Sequence, residues 1–544
     1  MGIIEHEIET MNTNTNMESQ LGQPLLETQY VLLPPKSLIW CLYLGHFLSR
    51  WSTRMWEFSV ALYMIDIWPN SLLLTAIYGV VESASVALFG PIIGEWVAKL
   101  SYVKVLQIWT LTQNLSFAVA GGTVITLLTY SDLNSLAFAS LVVITDLCGA
   151  IAVLSTLAGT ILIEREWVVV ISEGHPTEVL TNMNSIIRRI DLVCKLLAPV
   201  LAGFLTSFVS LKASAIFLVS WNLVSVCLQY WLLISVYKGI SALSKKESRI
   251  TTTKTSANDH GQTSNDNNNE IVSNLPCISS WKVYLKQDVV LPGISLALLY
   301  FTVLSFGSLM TAALESDGIP AYVISIARGI SAGTGISATY AYPVLQPHIS
   351  TIRTGLWSIW SQWSFLVVCV ASIWVQNETS SAYVLMAGVA ASRLGLWMFD
   401  LAVIQQMQDQ VPEMDRCVVG GVQNSLQSTM DLMGYIMGVV VPEAEDFWKL
   451  ILISFSLVTA SAIIYTVHVW RVRKHLFHLE KLSNLAYKTK IMSFNLIKFV
   501  EIFYSKVSSQ VEERKGLTFE KIITTVRKLM HIYIRMIFAY CRVI

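Results

Sequence analysis

Charge is the scarcest property of this chain. Only 14% of its 544 residues are Asp, Glu, Lys or Arg, against roughly 25% in an ordinary soluble domain. The two signs balance at 37 each, which excludes the basic footprint of a nucleic-acid binder. Cysteine is sparse as well. Cys41, Cys148, Cys194, Cys227, Cys277, Cys369, Cys417 and Cys541 form no CxxC pair, and most lie in apolar runs. A disulfide framework or a structural zinc site is therefore not expected, and the cysteines read as small buried hydrophobes. Of the nine histidines only His46 sits well inside an apolar run. HExxH, the P-loop and the G-x-S-x-G elbow are missing, so zinc proteolysis, ATP-driven transport and hydrolysis lack support, and no cofactor is implied. The amino terminus lacks the basic region and early apolar stretch of a cleaved signal peptide.

Apolar length is abundant. The chain is 53% hydrophobic with a mean hydropathy of +0.55. Repeated apolar runs near 20 residues match the thickness of a bilayer core. They fall at about 38–66, 72–95, 104–130, 133–162, 181–208, 213–237, 289–315, 321–343, 353–376, 381–408, 419–441 and 447–470. This predicts an all-α polytopic membrane protein of about 12 transmembrane helices. Residues 239–287 contain SALSKKESRITTTKTSANDHGQTSNDNNNE and read as a solvated linker. Six spans, a polar linker and six spans is the layout of a two-lobed transporter. The expected organisation is a disordered cytosolic N-terminus (1–36), an N-lobe (37–238), the cytosolic linker (239–287), a C-lobe (288–470) and a basic cytosolic tail (471–544). The tail ends in FEKIITTVRKLMHIYIRMIFAYCRVI, either an amphipathic helix on the inner leaflet or a disordered extension.

Basic residues orient the chain. Even-numbered connections carry Lys99, Lys104, Arg165, Lys245, Lys246, Arg249, Arg353, Arg416, Arg471, Arg473 and Lys474. Odd-numbered ones read DIWPN, SDLN, SLKAS, ESDG, NETSS and PEAED, with Lys212 the sole cation. The positive-inside rule places both termini and the linker in the cytosol. The sequon Asn377-Glu378-Thr379 then falls in an outer loop.

Ionisable groups at membrane depth cost several kcal/mol unless paired or hydrated, so they mark candidate sites. Span one holds Arg50, Arg54 and Glu57 on one helical face. Glu57 is either a cation-binding or proton-coupled carboxylate, or half of a structural Arg–Glu pair. Span two ends in GPIIGEWVAK, where the GxxxG of Gly90 and Gly94 allows close helix contact. Span five carries Asn184, Arg188, Arg189 and Asp191 in NMNSIIRRID, with Glu164, Arg165 and Glu166 in the preceding loop. The two adjacent arginines must point in different directions, and Arg188 can pair with Asp191. This cluster reads as a cytosolic gate. Gln113, Asn114, Asp146, Asn222 and Gln229 interrupt other spans, either as neutral ligands for a weakly held divalent ion or as interhelical hydrogen-bonding groups. Arg393, Asp400, Gln423, Asn424 and Asp431 do so in the second half.

These residues carry a resemblance. YLGHFLSRWSTRMWEFSVALYMIDIWPNSLLLTAIYG, GPIIGEWV, NMNSIIRRID, WNLVS, RLGLWMFDLAV and GVQNS are similar to the ferroportin family, collinearly over about residues 38–480. SEGHPTEVLT and QQMQDQVPEMDRCVVGGVQNSLQS resemble its plant members, the iron-regulated transporters. The resemblance implies a major-facilitator-type fold of two six-helix lobes. It also implies export of Fe²⁺, and of related ions such as Co²⁺ and Ni²⁺, from the cytosol by alternating access with counter-movement of protons. The transporter would act as a monomer in the plasma or vacuolar membrane, with a divalent metal ion and lipid as its partners and no nucleic acid. The implied substrate-lining set is Glu57, Thr53, Gln113, Asn222 and Ser308, with Glu57 as the metal ligand, and the implied gate is Glu166, Asn184, Arg188, Arg189 and Asp191. The chain departs from the animal pattern at the metal positions. Thr53 and Glu57 stand where animal members have Asp and His, Ser308 and Gly434 where they have Cys and His, and Gln229 where they have Glu. Loss of those soft ligands leaves a second reading, a secondary transporter of an organic solute or metal chelate.

Overall fold

Every described secondary-structure element is a helix. The structure, a computed structural model, describes residues 35–68, 73–130, 134–244, 276–306, 310–311, 313–314, 318–441 and 446–473. The polar N-terminus, the middle of the linker, Gly307, Ser308 and the tail beyond Arg473 lie outside the described residues, together with the expectations placed on them.

The N-terminal half contains α1 (Lys36–Ile67), α2 (Leu73–Lys99), α3 (Tyr102–Thr129), α4 (Ser135–Thr160), α5 (Thr177–Phe208) and α6 (Leu211–Gly239). The C-terminal half contains α7 (Pro276–Leu285), α8 (Val290–Leu298), α9 (Ala321–Ile349), α10 (Thr351–Ala371), α11 (Glu378–Gln410), α12 (Arg416–Val440) and α13 (Phe447–Arg473). Helix starts follow local chemistry. Ser101, Asn134, Ser210 and Asn377 each accept a hydrogen bond from a backbone N–H three residues on, capping α3, α4, α6 and α11.

Among the described residues, seven helices are both long and apolar enough to cross a bilayer: α2, α3, α4 with its continuation, α6, α10, α11 and α13. The α7–α8 pair, bent by 109°, is an eighth if it counts as one span. The remaining long helices α1, α5, α9 and α12 have 32, 32, 29 and 25 residues, enough for about 37 Å or more at 1.5 Å per residue. They are richer in charged, hydroxyl and small residues, and α1, α5 and α12 place several of these against the cavity between the lobes. The outer surface is apolar in the manner of a lipid-facing shell, with Leu111, Leu115, Leu136, Val200, Phe204, Phe208 and Trp231 exposed.

The buried apolar core divides along the same line. Two clusters gather side chains of α1 to α6 with the α4 continuation, and two others gather α7 to α13. Cys417 of α12 alone crosses over, packing into the N-terminal half.

Two local features depart from the expected layout. The segment Ile161–Trp167 is not a loop: it continues α4 as a π-helix, followed by the turn Val168–Ser172. All seven of its residues are buried, Glu164, Arg165 and Glu166 included. Ten residues near the end of the linker segment, Pro276–Leu285, form α7, whose Tyr284 hydroxyl donates to Gln423 Oε1 of α12 at 2.7 Å. That contact anchors the entry to the second lobe.

A charge-lined cavity closed at one end

The centre of the N-terminal half is a carboxylate ringed by arginines. Asp191 of α5 receives Arg54 Nη2 at 3.1 Å, Arg50 Nε at 3.7 Å and Arg188 Nη1 at 3.9 Å. Arg50 also reaches Glu164 at 3.4 Å and donates to Thr160 Oγ1 at 2.8 Å. Arg54 turns its other nitrogen to Glu57 at 2.7 Å. Such buried pairs offset their desolvation only where several partners converge, as they do on Asp191.

Glu57 differs from its neighbours in access. Its side chain is 42% exposed, against 7% for Asp191 and 9% for Glu164. It faces an open cavity of about 240 Å³ between the lobes. Four arginines (Arg50, Arg54, Arg165, Arg188) and four carboxylates (Glu57, Glu164, Asp191, Asp400) line that cavity, with Thr53, Asn424, Gln427 and Ser428 among the neutral groups. The charges cancel, and Glu57 is the most exposed of the four carboxylates.

Beneath the cavity the two lobes are joined. Arg188 Nη2 pairs with Asp400 of α11 at 2.9 Å, and its guanidinium stands 5.6 Å from the centroid of the Trp397 ring. One turn earlier, Asn184 and Gln408 exchange amide hydrogen bonds, Nδ2 to Oε1 at 2.5 Å and Nε2 to Oδ1 at 3.1 Å. Gln408 Nε2 also donates to the Glu164 carbonyl at 2.5 Å. A π-turn frees backbone carbonyls from the regular ladder, and here one is used across the lobe boundary. Thr181 and Gln405 pair at 2.9 Å, and Cys417 Sγ donates to Glu166 at 3.4 Å. Glu166 also accepts from the Tyr102 hydroxyl at 3.1 Å. Arg189 points the other way, to Thr339 Oγ1 of α9 at 3.0 Å and over the Tyr340 ring. On the far side α2 meets α12 at bare backbone. A Cβ on Gly94 would lie 2.6 Å from the Cys417 carbonyl oxygen, and one on Gly421 would lie 2.5 Å from that of Gly90. Ser425 Oγ donates to the Ala87 carbonyl in the same seam. Among the described residues, these interlobe bonds all fall toward the end where α2, α6 and α11 finish and α3, α5 and α12 begin.

The expected gate residues thus occupy one interlobe zone with Arg165 of the same cluster, joined by Asp400, Gln405, Gln408 and Cys417, which sequence reasoning did not assign to it. The run QQMQDQ at the end of α11 was the available signal: five amides and acids on a helix ending in a membrane must meet other polar groups. The expected lining residues separate. Thr53 borders the cavity. Gln113 is buried behind it, accepting from Trp109 Nε1 at 2.7 Å and donating to Thr53 Oγ1 at 2.9 Å. Asn222 is fully buried in α6, bonds its own helix at Leu218 and leaves Oδ1 without a partner. Ser308 lies outside the described residues. Arg393 and Asp400 do not meet: Arg393 donates to the Leu304 carbonyl. Glu95 pairs with Lys99 on its own helix at 2.5 Å. No group of three or more His, Cys, Asp or Glu able to hold a metal occurs among the described residues.

The sequence profile of the Ferroportin1 (FPN1) family matches residues 36–458. The chain belongs to the ferroportin family. Solute carrier family 40 member 2 of Arabidopsis thaliana is 58% identical over 477 residues, covering 83% of this chain and 93% of that protein. The crystal structure of a bacterial homologue of the iron transporter ferroportin, in an outward-facing state, superposes with a TM-score of 0.67 at 24% identity, covering 79% of this chain and 99% of its own. The proton:xylose symporter XylE of the major facilitator superfamily superposes with a TM-score of 0.56 at 12% identity, over 80% of this chain and 95% of its own. The fold is therefore of the major-facilitator type. Ferroportins are membrane transporters, so this ferroportin is a multi-pass membrane transporter with a metal ion as cargo, not an enzyme.

Proposed function

We propose that this ferroportin exports Fe²⁺, and related divalent ions such as Co²⁺ and Ni²⁺, from the cytosol by alternating access coupled to counter-movement of protons. The observation that carries this reading is the pairing of one accessible carboxylate, Glu57, with a cavity closed beneath it by the Arg188–Asp400 bridge. The basic connections lie at the closed end and support its assignment to the cytosol. Asn377 caps α11 at the opposite end, consistent with an outer sequon. On this reading the lobes are residues 37–238 and 288–470, and the cavity opens to the outside. Glu57 is the charged ligand and exchanges a metal ion for a proton. Thr53 adds a hydroxyl beside it, while Gln113 and Asn222 hold helices α3 and α6 in register behind it. Glu166, Asn184, Arg188, Arg189 and Asp191 form the cytosolic gate.

A weak site suits a carrier, because a cation held by many soft ligands leaves slowly. One exposed carboxylate with neutral oxygen groups favours release. The test is metal flux in proteoliposomes containing the full chain, under a set pH gradient. Glu57→Gln is expected to lower Fe²⁺ and Co²⁺ flux at least about tenfold, equivalent to about 1.4 kcal/mol, and to flatten its pH dependence. Unchanged flux and pH dependence would sink the site assignment.

The lining of four arginines, with no metal-binding cluster among the described residues, favours a second reading, transport of an organic anion or metal chelate. Adding a carboxylate chelator separates the two. Free-ion transport falls as the chelator removes the ion, whereas chelate transport rises.

A further inference from the structure

A second, smaller cavity lies within the closed end. It measures about 10 Å³ and is lined by Arg165, Met407, Gln408, Val411, Arg416 and Gly420, among others. Arg165 comes from the π-segment of the N-terminal half. Arg416 is the first residue of the 25-residue helix α12.

The two guanidiniums are short of acceptors. Arg165 is 7% exposed, and its one hydrogen bond runs from Nη1 to the Met407 sulfur at 3.9 Å. Nε and Nη1 of Arg416 are buried without a hydrogen-bond partner among the described residues. The neighbouring carboxylates are committed elsewhere. Glu164 pairs with Arg50 and Asp400 with Arg188. Glu166 accepts from Tyr102 and Cys417, and Asp415 from Gln287. Asp409 does not line this cavity. Among the described residues, the two guanidiniums thus line a cavity that no carboxylate lines with them.

We infer that this cavity binds a small inorganic anion, chloride in the cell, which bridges Arg165 of one lobe to Arg416 of the other. Its volume admits a single small occupant, a water or a monatomic ion, and excludes phosphate and organic acids. A monoanion accepts from both guanidiniums and neutralises charge that a water leaves in place. Because the walls come from both lobes, the site exists only while they touch. Anion binding therefore stabilises the closed arrangement by mass action and is lost as that end opens.

Cys417 is a natural reporter, being 3% exposed and beside the cavity at the closed end. The full chain in lipid nanodiscs is treated with N-ethylmaleimide, in chloride or in gluconate at equal ionic strength. Labelling of Cys417 is followed by peptide mass spectrometry. At ten times its dissociation constant, chloride is expected to slow labelling about tenfold. Arg165→Gln and Arg416→Gln should each abolish the difference. Broadening of the chlorine NMR line by the wild-type chain gives a readout independent of the variants. Equal labelling rates in both anions without line broadening would mean that water fills the cavity, and the inference fails. A chloride effect that persists in both variants also overturns it.

Discussion

Arg188 shows how far a single residue can be read before its surroundings are known. The sequence placed it beside Arg189 at membrane depth, and charge cost alone required a partner. Its spacing pointed to Asp191, three residues on. The structure has that contact at 3.9 Å and a shorter one, 2.9 Å, to Asp400 in the other half of the chain. The cross-lobe bridge was not legible, because nothing in spacing relates positions 212 residues apart. Removing one partner of such a bridge leaves a buried charge unpaired, at a cost of about 3–5 kcal/mol. We therefore expect Arg188→Gln to lower metal flux in proteoliposomes by at least about a hundredfold, as 3 kcal/mol alone exceeds two decades. Arg188→Lys should recover only part of it, since a lysine cannot serve Asp400 and Asp191 with a planar fork. Flux within twofold of wild type in Arg188→Gln would remove this residue from the gate. Glu57 and Asn222 make the opposite point. Both were legible as polar groups in apolar helices, but only tertiary packing turned one to the cavity and the other into the lobe.

At the scale of elements, the seam between α2 and α12 depends on the absence of side chains. Gly90, Gly94 and Gly421 bring backbone against backbone, and the prospective Cβ contacts of 2.5 to 2.9 Å are with main-chain oxygens that cannot turn aside. The GxxxG of α2 was visible in sequence, but its partner was not, since small residues fit many surfaces. Gly421→Val is expected to hold α12 away from α2, with overpacking costing about 1–3 kcal/mol. The measured signs would be faster maleimide labelling of Cys417 and reduced flux. An unchanged labelling rate would show that the seam does not set closure. The π-segment of α4 is a second such element. Its charges made the sequence look like a loop, yet Glu164 and Glu166 each find a partner, and the free Glu164 carbonyl is taken by Gln408. Gln408→Leu removes both that bond and the amide pair with Asn184. Three neutral hydrogen bonds amount to about 1.5–4.5 kcal/mol, so labelling at Cys417 should accelerate at least about tenfold, and an unaltered rate would count against the pair.

For the whole molecule, alternating access requires the closed end to part in each cycle. Cysteines placed at Asn184 and Gln408 and joined by a short bifunctional thiol reagent should stop metal flux. Cleaving the linker should restore it. Flux that continues through the cross-linked protein would show that these helices do not separate during transport. The sequence by itself determined much of the plan: an all-helical membrane protein, a polar break between two halves and charge confined to a few helices. It also carried the family through long collinear motifs. These properties follow from hydrophobic length and from the cost of charge in lipid, both of which act locally along the chain. Only the tertiary structure decided which polar residues meet. It joined Arg188 to Asp400 and Asn184 to Gln408, exposed Glu57 alone among the carboxylates of its network and enclosed Arg165 with Arg416. Those outcomes depend on helix rotation and on contacts between segments more than two hundred residues apart, which no periodicity encodes.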